Sequence, residues 1–196
     1  MTSAGDSRLK GAAIREFLLW YERKHGARAL ADLVVGLEAP LAGLVRTDAP
    51  ALGILASAWY PSALVHRILD RVCENRSDEG RGMARDANAE VVPRMIRGVY
   101  AMLFRAVGSP TLYALNVDRQ WHRLHSTGRR EVRVTSKAEC FSTVSDWTGH
   151  HPMLCWVTIY TMVYVFHAMG YGHVVPERVE CVSHGGTRCA TVLRYW

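Results

Sequence analysis

The chain has 196 residues, 49% apolar and 21% charged, with 24 basic against 18 acidic side chains. That length holds one domain with a sizeable core, and the composition excludes a disordered or collagen-like chain. Five cysteines are too few and odd in number for a disulfide scaffold, and a net charge of +6 permits anionic partners without demanding them.

The N-terminus is not a secretory signal, because Asp6, Arg8 and Lys10 interrupt any apolar run. The expectation is a cytoplasmic protein with reduced thiols. Ile14, Phe17, Leu18 and Tyr21 fall at helical spacing, so a first helix is expected over 7–24, ended by Gly26. Residues 27–55 are mixed, with breaks at Gly36, Pro40, Gly43 and Pro50. A second helix follows Trp59-Tyr60-Pro61, with Val65, Ile68, Leu69 and Val72 on one face. Residues 74–82 are polar and glycine-bearing and read as a surface loop. A long helix then extends to about 107 through Val92, Ile96, Val99 and Leu103, with Pro93 as a kink. Ser109-Pro110 is a capped start for the next helix, which carries Val117, Trp121 and Leu124 inward.

The period then changes. Val132 and Val134 alternate with Arg133 and Thr135, so strands are expected over 130–136 and 139–144. No Asp, Glu, Lys or Arg lies between Asp146 and Glu177. The firmly apolar part runs only from Met153 to Met169, among histidines and glycines, and reads as a buried helix opened by Pro152 and closed by Gly170 rather than a membrane span. The C-terminus is two alternating runs around Gly185-Gly186, a hairpin signal. Helices on an antiparallel sheet make the fold class α+β, with 1–196 as one domain.

Cys181 and Cys189 flank the hairpin turn. With His184-Gly185-Gly186 as a three-residue loop, the two thiols face each other, which is half of a tetrahedral zinc site. Cys155, in the first turn of the apolar helix, is a third donor. Glu177 shares strand parity with Cys181; Glu180, His173 and His184 are the other candidates for a fourth. Spacing alone favours plain apolar core cysteines or a cross-strand disulfide, since no CxxC knuckle is present.

Arg119, Arg123, Arg129, Arg130, Arg133 and Lys137 form a basic run diluted by Asp118, Glu131 and Glu139. It reads as a solvated helix face and a charge-protected edge strand, not a nucleic-acid site. Trp156, Tyr160 and Tyr164 make one helical stripe. Such a stripe is more often core than pocket, but Trp121, His125, Trp156 and Tyr160 are candidates to fix a small aromatic or apolar ligand. Motifs for serine hydrolases, zinc proteases, P-loops and dinucleotide folds are absent, so no enzyme is expected.

Glu180-Cys181-x7-Cys189 after a helix and a strand resembles the 4-vinyl reductase domain, in a superfamily of ligand-binding domains shared with haem NO-binding proteins and TRAPP subunits. Lys10-Gly11, Trp20-Tyr21, the segment 52–57, Trp59-Tyr60-Pro61 and Trp121 resemble a myxobacterial paralogous family in that superfamily. The resemblance implies helices on an antiparallel sheet, frequent dimerisation, and a structural zinc held by Cys155, Cys181, Cys189 and an acid. The family's glutamate falls at Arg178, with Glu177 one residue away. The YxSxR signature of haem NO-binding domains is missing at Tyr60-Pro61-Ser62-Ala63-Leu64, so haem is not expected. The resulting expectation is a non-catalytic small-molecule sensor, a homodimer, with zinc at the hairpin and a regulatory protein partner. The alternative is a TRAPP-like interaction and dimerisation module without ligand.

Overall fold

The computed structural model describes residues 7–74, 76–96 and 108–196. The chain enters as a short strand β1 (Arg8–Lys10) paired antiparallel with β2 (Trp59–Pro61), where the sequence implied helix from Ser7. Three residues are too few to display strand alternation, and tertiary pairing decides. Leu9 sits opposite Tyr60 and bridges to His125. Gly11 then meets the Leu55 carbonyl so closely that a Cβ would collide with it, so only glycine turns the corner.

Helix α1 (Ala12–His25) buries Ile14, Phe17 and Leu18 as their spacing implies, but Trp20 joins them and Tyr21, expected on that face, is only half-buried. Two short helices, α2 (Ala27–Asp32) and α3 (Ala39–Ala42), occupy the mixed region. Helix α4 (Ser62–Cys73) follows β2 directly and buries Leu64, Val65, Ile68, Leu69 and Val72. Helix α5 (Arg81–Met95) has Pro93 in its last turn. The expected continuation through Val99 and Leu103 falls outside the described residues. Helix α6 (Pro110–His122) starts where Ser109 accepts the Leu112 N–H on its Oγ.

Strands β3 (Arg129–Ser136), β4 (Glu139–Ser145), β5 (Val174–Glu180) and β6 (Cys189–Tyr195) form an antiparallel sheet in the order β3-β4-β6-β5. Between β4 and β5 runs α7 (Pro152–Ala168). It packs along α5 on one side and against β5 and β6 on the other. Met153, Cys155, Ile159, Met162 and Phe166 are all buried, so α7 is the central element of an α+β fold. No helix among the described residues is long and apolar enough to cross a membrane.

The hairpin loop is wider than the expected three residues. A 3-10 turn (Val182–His184) leads to Gly185 in the left-handed region at φ 82°, and the Gly186 N–H returns to the Cys181 carbonyl at 3.0 Å. Glu180 still pairs with Ala190, which leaves Cys181 opposite Cys189. Upstream, β5 changes register between Arg178 and Glu180. That bulge adds a residue and reverses the facing of everything before it.

Candidate metal centre and the cavity beside it

Three elements converge at the N-terminal end of α7. The first is the loop from Asp146 to His151. His151 caps α7, its Nδ1 accepting the Met153 N–H at 3.1 Å, and Pro152 fills the first helical position. Gly149 fits against the side chains of Ser7 and Ser62 with no room for a Cβ, and its carbonyl takes a hydrogen bond from His66 at 3.0 Å. The next residue, His150, is thereby aimed at the hairpin. The second element is the first turn of α7, which supplies Cys155. The third is the hairpin, which supplies Cys181 and Cys189.

One donor atom from each of His150, Cys155, Cys181 and Cys189 lies within 4.8 Å of the other three. The Cys181 and Cys189 sulfurs are 3.7 Å apart, and His150 Nε2 is 3.5 Å from Cys181 Sγ. Bonds of about 2.3 Å to sulfur and 2.0 Å to nitrogen at a tetrahedral angle place two sulfurs about 3.8 Å apart and sulfur and nitrogen about 3.5 Å apart. The apposition therefore has the dimensions of a four-coordinate Cys3His centre.

The protonation pattern follows from crowding. Hydrogen bonds from Cys155 and Cys189 hold the Cys181 thiol far below its usual range, against burial, while the same contacts drive Cys155 far up. Burial disfavours charge on His150, but its hydrogen bonds to Cys181 and Cys189 outweigh that and raise it to about 9. Three thiols this close cannot all ionise without a cation among them.

Glu177 is not in this cluster. It is exposed, its carboxylate 2.9 Å from Arg194 on the outer face. The β5 bulge is the reason: it breaks the parity that Glu177 would otherwise share with Cys181, and puts Arg178 on the inner face instead. Of the other candidates, Glu180 pairs with Arg188 at 3.2 Å, His173 stacks on Trp196, and His184 reaches Glu79. The fourth member of the cluster is His150, which the sequence did not single out. Its signal was its place just before the helix that opens with Pro152, five residues ahead of Cys155.

Arg178 needs its own partner. Glu79 provides it at 2.8 Å and also receives His184 Nε2 at 2.7 Å and the Trp156 indole N–H at 3.3 Å. Burial alone would raise the Glu79 carboxyl, but hydrogen bonds from Arg178 and His184 prevail and hold it below its ordinary range. The Arg178 guanidinium lies 4.2 Å from the Trp156 ring centroid and that of Arg81 4.8 Å. This network ties the loop before α5 to the hairpin. Glu79→Gln is expected to cost about 2 kcal/mol in urea unfolding followed by tryptophan emission, because it strands a mostly buried cation; an unchanged midpoint would show the pair to be idle.

The candidate ligand residues separate into two clusters. Trp121 and His125 stack at 3.8 Å and both meet Trp147 edge-on. Trp156 stacks on Tyr160, whose hydroxyl accepts from Arg81 at 3.2 Å. None of the four lines the enclosed cavity of ≈ 10 Å³ between α7 and the sheet; Cys155 and Cys189 do, with Arg130, Ser142, Trp147 and Met162 among the rest of its wall. Burial first, then the charge of Arg130, pushes His125 down to about 3, so its imidazole is neutral.

No family model and no curated protein matches the chain. Solved structures do. An H-NOX protein from S. oneidensis aligns at TM-score 0.66 and 10% identity, covering 96% of each chain. The Fe(II) unliganded H-NOX protein from K. algicida aligns at TM-score 0.63 and 11% identity, over 96% of this chain and 97% of that one. The fold is that of H-NOX domains. A T. tengcongensis H-NOX variant gives TM-score 0.64 at 12% identity, over 95% of this chain and 97% of its own.

This corrects one expectation. Haem was not expected, on the missing YxSxR signature. The H-NOX neighbours, one of them studied for haem distortion, overturn that exclusion: the absence of one motif is no ground for setting haem aside in this fold. Geometric fit is a separate matter. The space between α7 and the sheet is ≈ 10 Å³, too small for a porphyrin, and the ≈ 330 Å³ cleft at the hairpin is open to solvent and mostly polar, with Arg178, Glu180 and His184 in its lining. His66, His150 and His151 bond to the Gly149 carbonyl, Cys181 and Asp70, and His125 is stacked on Trp121.

Proposed function

We propose that the chain is a non-catalytic small-molecule sensor or binding domain, built on the H-NOX fold, whose C-terminal hairpin is held by a structural zinc. The observation that carries this is the apposition of His150, Cys155, Cys181 and Cys189, two of whose sulfurs line the cavity between α7 and the sheet. Three thiolates and an imidazole form a closed tetrahedral set with no open position, which suits a structural ion and leaves no seat for a hydrolytic water. The ion would couple the hairpin to the start of α7, so a ligand that shifts α7 would also move the hairpin. A partner protein, or the second subunit of a homodimer, would read that change. Such a switch requires a ligand with different affinity for the two states. The small size of the cavity favours a second reading, an interaction module of the TRAPP kind in which this space is simply core.

The test is elemental mass spectrometry on protein purified without chelator or metal-affinity tag, with an absorbance scan of the same sample. The expected result is one zinc per chain, absent from Cys181→Ser. Zinc-free protein would overturn the structural-metal reading. A Soret band would assign the haem chemistry of the neighbours to this chain.

A further inference from the structure

The end of the molecule that carries β1 and β2 presents an exposed loop without charge, ringed by cations. Three segments are joined there through their backbones. The Ser126 N–H reaches the Arg8 carbonyl at 3.0 Å, and the Lys10 N–H reaches that of Leu124 at 2.8 Å. The Gly11 and Ala12 N–H groups go to the carbonyls of Ala58 and Ala56 at 2.8 and 3.0 Å. Residues 49–66 contain no Asp, Glu, Lys or Arg. Within them Leu55 is 63% exposed and Trp59 39%, with Ala56 and Ser57 exposed between. The flanking segments 7–15 and 119–130 hold no acid either, yet are rich in basic residues. Arg8 and Lys10 stand on the face of β1 away from buried Leu9, and Trp59 is opposite Lys10, whose Nζ lies 5.7 Å from the indole centroid. Arg119 and Arg123, both exposed, bond only to Asn116 and Gln120. Among the described residues these four cations have no carboxylate partner. The acids at the borders, Asp118 and Glu131, are engaged by His122 and by Arg129 and Arg133.

A single exposed apolar side chain is ordinary on a surface. Here two further features coincide. The loop satisfies most of its own backbone. The Leu55 N–H donates to the Tyr60 hydroxyl at 2.9 Å, and the Leu55 carbonyl takes the Ala58 N–H at 3.2 Å. The carbonyls of Ala56 and Ala58 are taken by the start of α1. Such a loop can leave bulk water with few bare polar groups. Behind it, an indole and a ring of cations stand in the order that a headgroup layer rewards, apolar tip first and positive charge at the phosphates. A nucleic acid would use the cations and gain nothing from Leu55. Neither the cavity beside α7 nor the hairpin cleft reaches this face, so neither offers a protein side chain a seat here.

We propose that this face docks on an anionic lipid bilayer, with Leu55 and Trp59 in the headgroup boundary and Arg8, Lys10, Arg119 and Arg123 against the phosphates. The docking is peripheral. It uses none of the residues of the metal centre, so either reading can fail alone.

The full chain is co-sedimented with vesicles of phosphatidylglycerol and phosphatidylcholine in equal parts, and with phosphatidylcholine alone. Binding is expected to the mixed vesicles only, and to weaken as salt is raised. Each cation is worth about fivefold in partitioning, so Lys10→Gln combined with Arg123→Gln weakens binding about 25-fold. Arg23→Gln, at the far end of α1, removes one charge away from the face and leaves binding within about twofold. Leu55→Ser keeps every cation and is expected to cost about tenfold. Leu55 is mostly exposed, so that variant folds, and an unchanged melting midpoint checks it. No sedimentation with the mixed vesicles overturns the proposal. So does full binding by Leu55→Ser, because net charge alone then accounts for it, or a loss in Arg23→Gln as large as in the double variant. Retention on immobilised polyglutamate without vesicle binding overturns the bilayer in favour of an acidic protein partner.

Discussion

Removal of the metal by a strong chelator is expected to lower the melting midpoint by about 10–15 °C, and Cys181→Ser is expected to melt where the chelated protein does. The magnitude follows from what the ion holds. Cys181 and Cys189 sit at the two sides of the hairpin loop, Cys155 in the first turn of α7 and His150 in the loop before it. Without a cation, three crowded thiols share protons they cannot all release, and the hairpin keeps only its ladder. Metal binding free energy appears as folding free energy where the site exists only in the folded chain. Several kcal/mol lost from a domain of this size shifts the midpoint by about 2–4 °C per kcal/mol. Glu177→Gln is the control: its carboxylate faces Arg194 on the outer surface, so zinc content stays as in the wild type. Scanning calorimetry on the zinc-loaded, chelated and variant proteins decides it; loaded and chelated samples melting within a degree of each other would remove the structural ion from the account.

Acid is expected to destabilise the protein by about 3 kcal/mol between pH 7 and pH 4, and His125→Phe is expected to abolish most of that loss. His125 is held neutral in the fold, its pKa pushed down to about 3 by burial and then by Arg130. In the unfolded chain it takes a proton near pH 6.5. Between those values the unfolded state binds the extra proton, so stability falls as pH falls from about 6.5 toward 3. Glu79 acts in the same direction at lower pH. Its carboxyl is held below its ordinary value of 4.5, so its contribution is complete above that value and vanishes as pH drops through the folded one. Phenylalanine keeps the stacking on Trp121 and removes a buried nitrogen, Nδ1, that has no partner. Urea midpoints of metal-free samples at both pH values separate this effect from acid release of zinc. Parallel pH profiles for wild type and His125→Phe would show that His125 is not the sensitive group.

Much of the architecture was legible because apolar spacing survives in long elements. The α1 face at Ile14, Phe17 and Leu18, the α4 face at Val65, Ile68 and Leu69, the Ser109 cap and the sheet-forming alternation at Val132 all follow from local rules. The β1–β2 pair was not legible, since three residues carry no period and their partner lies fifty residues on. Arg130 was hidden by composition. In a run of arginines it looks solvated, yet it has the parity of Val132 and goes inward with it. The stripe of Trp156 and Tyr160 was real as a helical face, but that face meets Arg81 and Glu79, while Trp121 and His125 gather at Trp147. His150 was invisible for a different reason. A loop residue's direction is set by what the loop rests on, here Ser7, Ser62 and His66, three positions far away in the chain.

The bulge in β5 behaves as a change of reading frame. Residues before it are spelled in one phase and residues after it in the other, so Arg178 and Cys181 face inward although they stand an odd number of positions apart. Any motif written for this strand with a fixed alternation will therefore be misread by one letter. Among chains of this kind, the position to compare is the one three before the hairpin cysteine. An acid there would bring a further anionic group toward the cysteine cluster; the arginine of this chain brings a positive charge instead, and the fourth candidate donor, His150, lies in the loop ahead of α7.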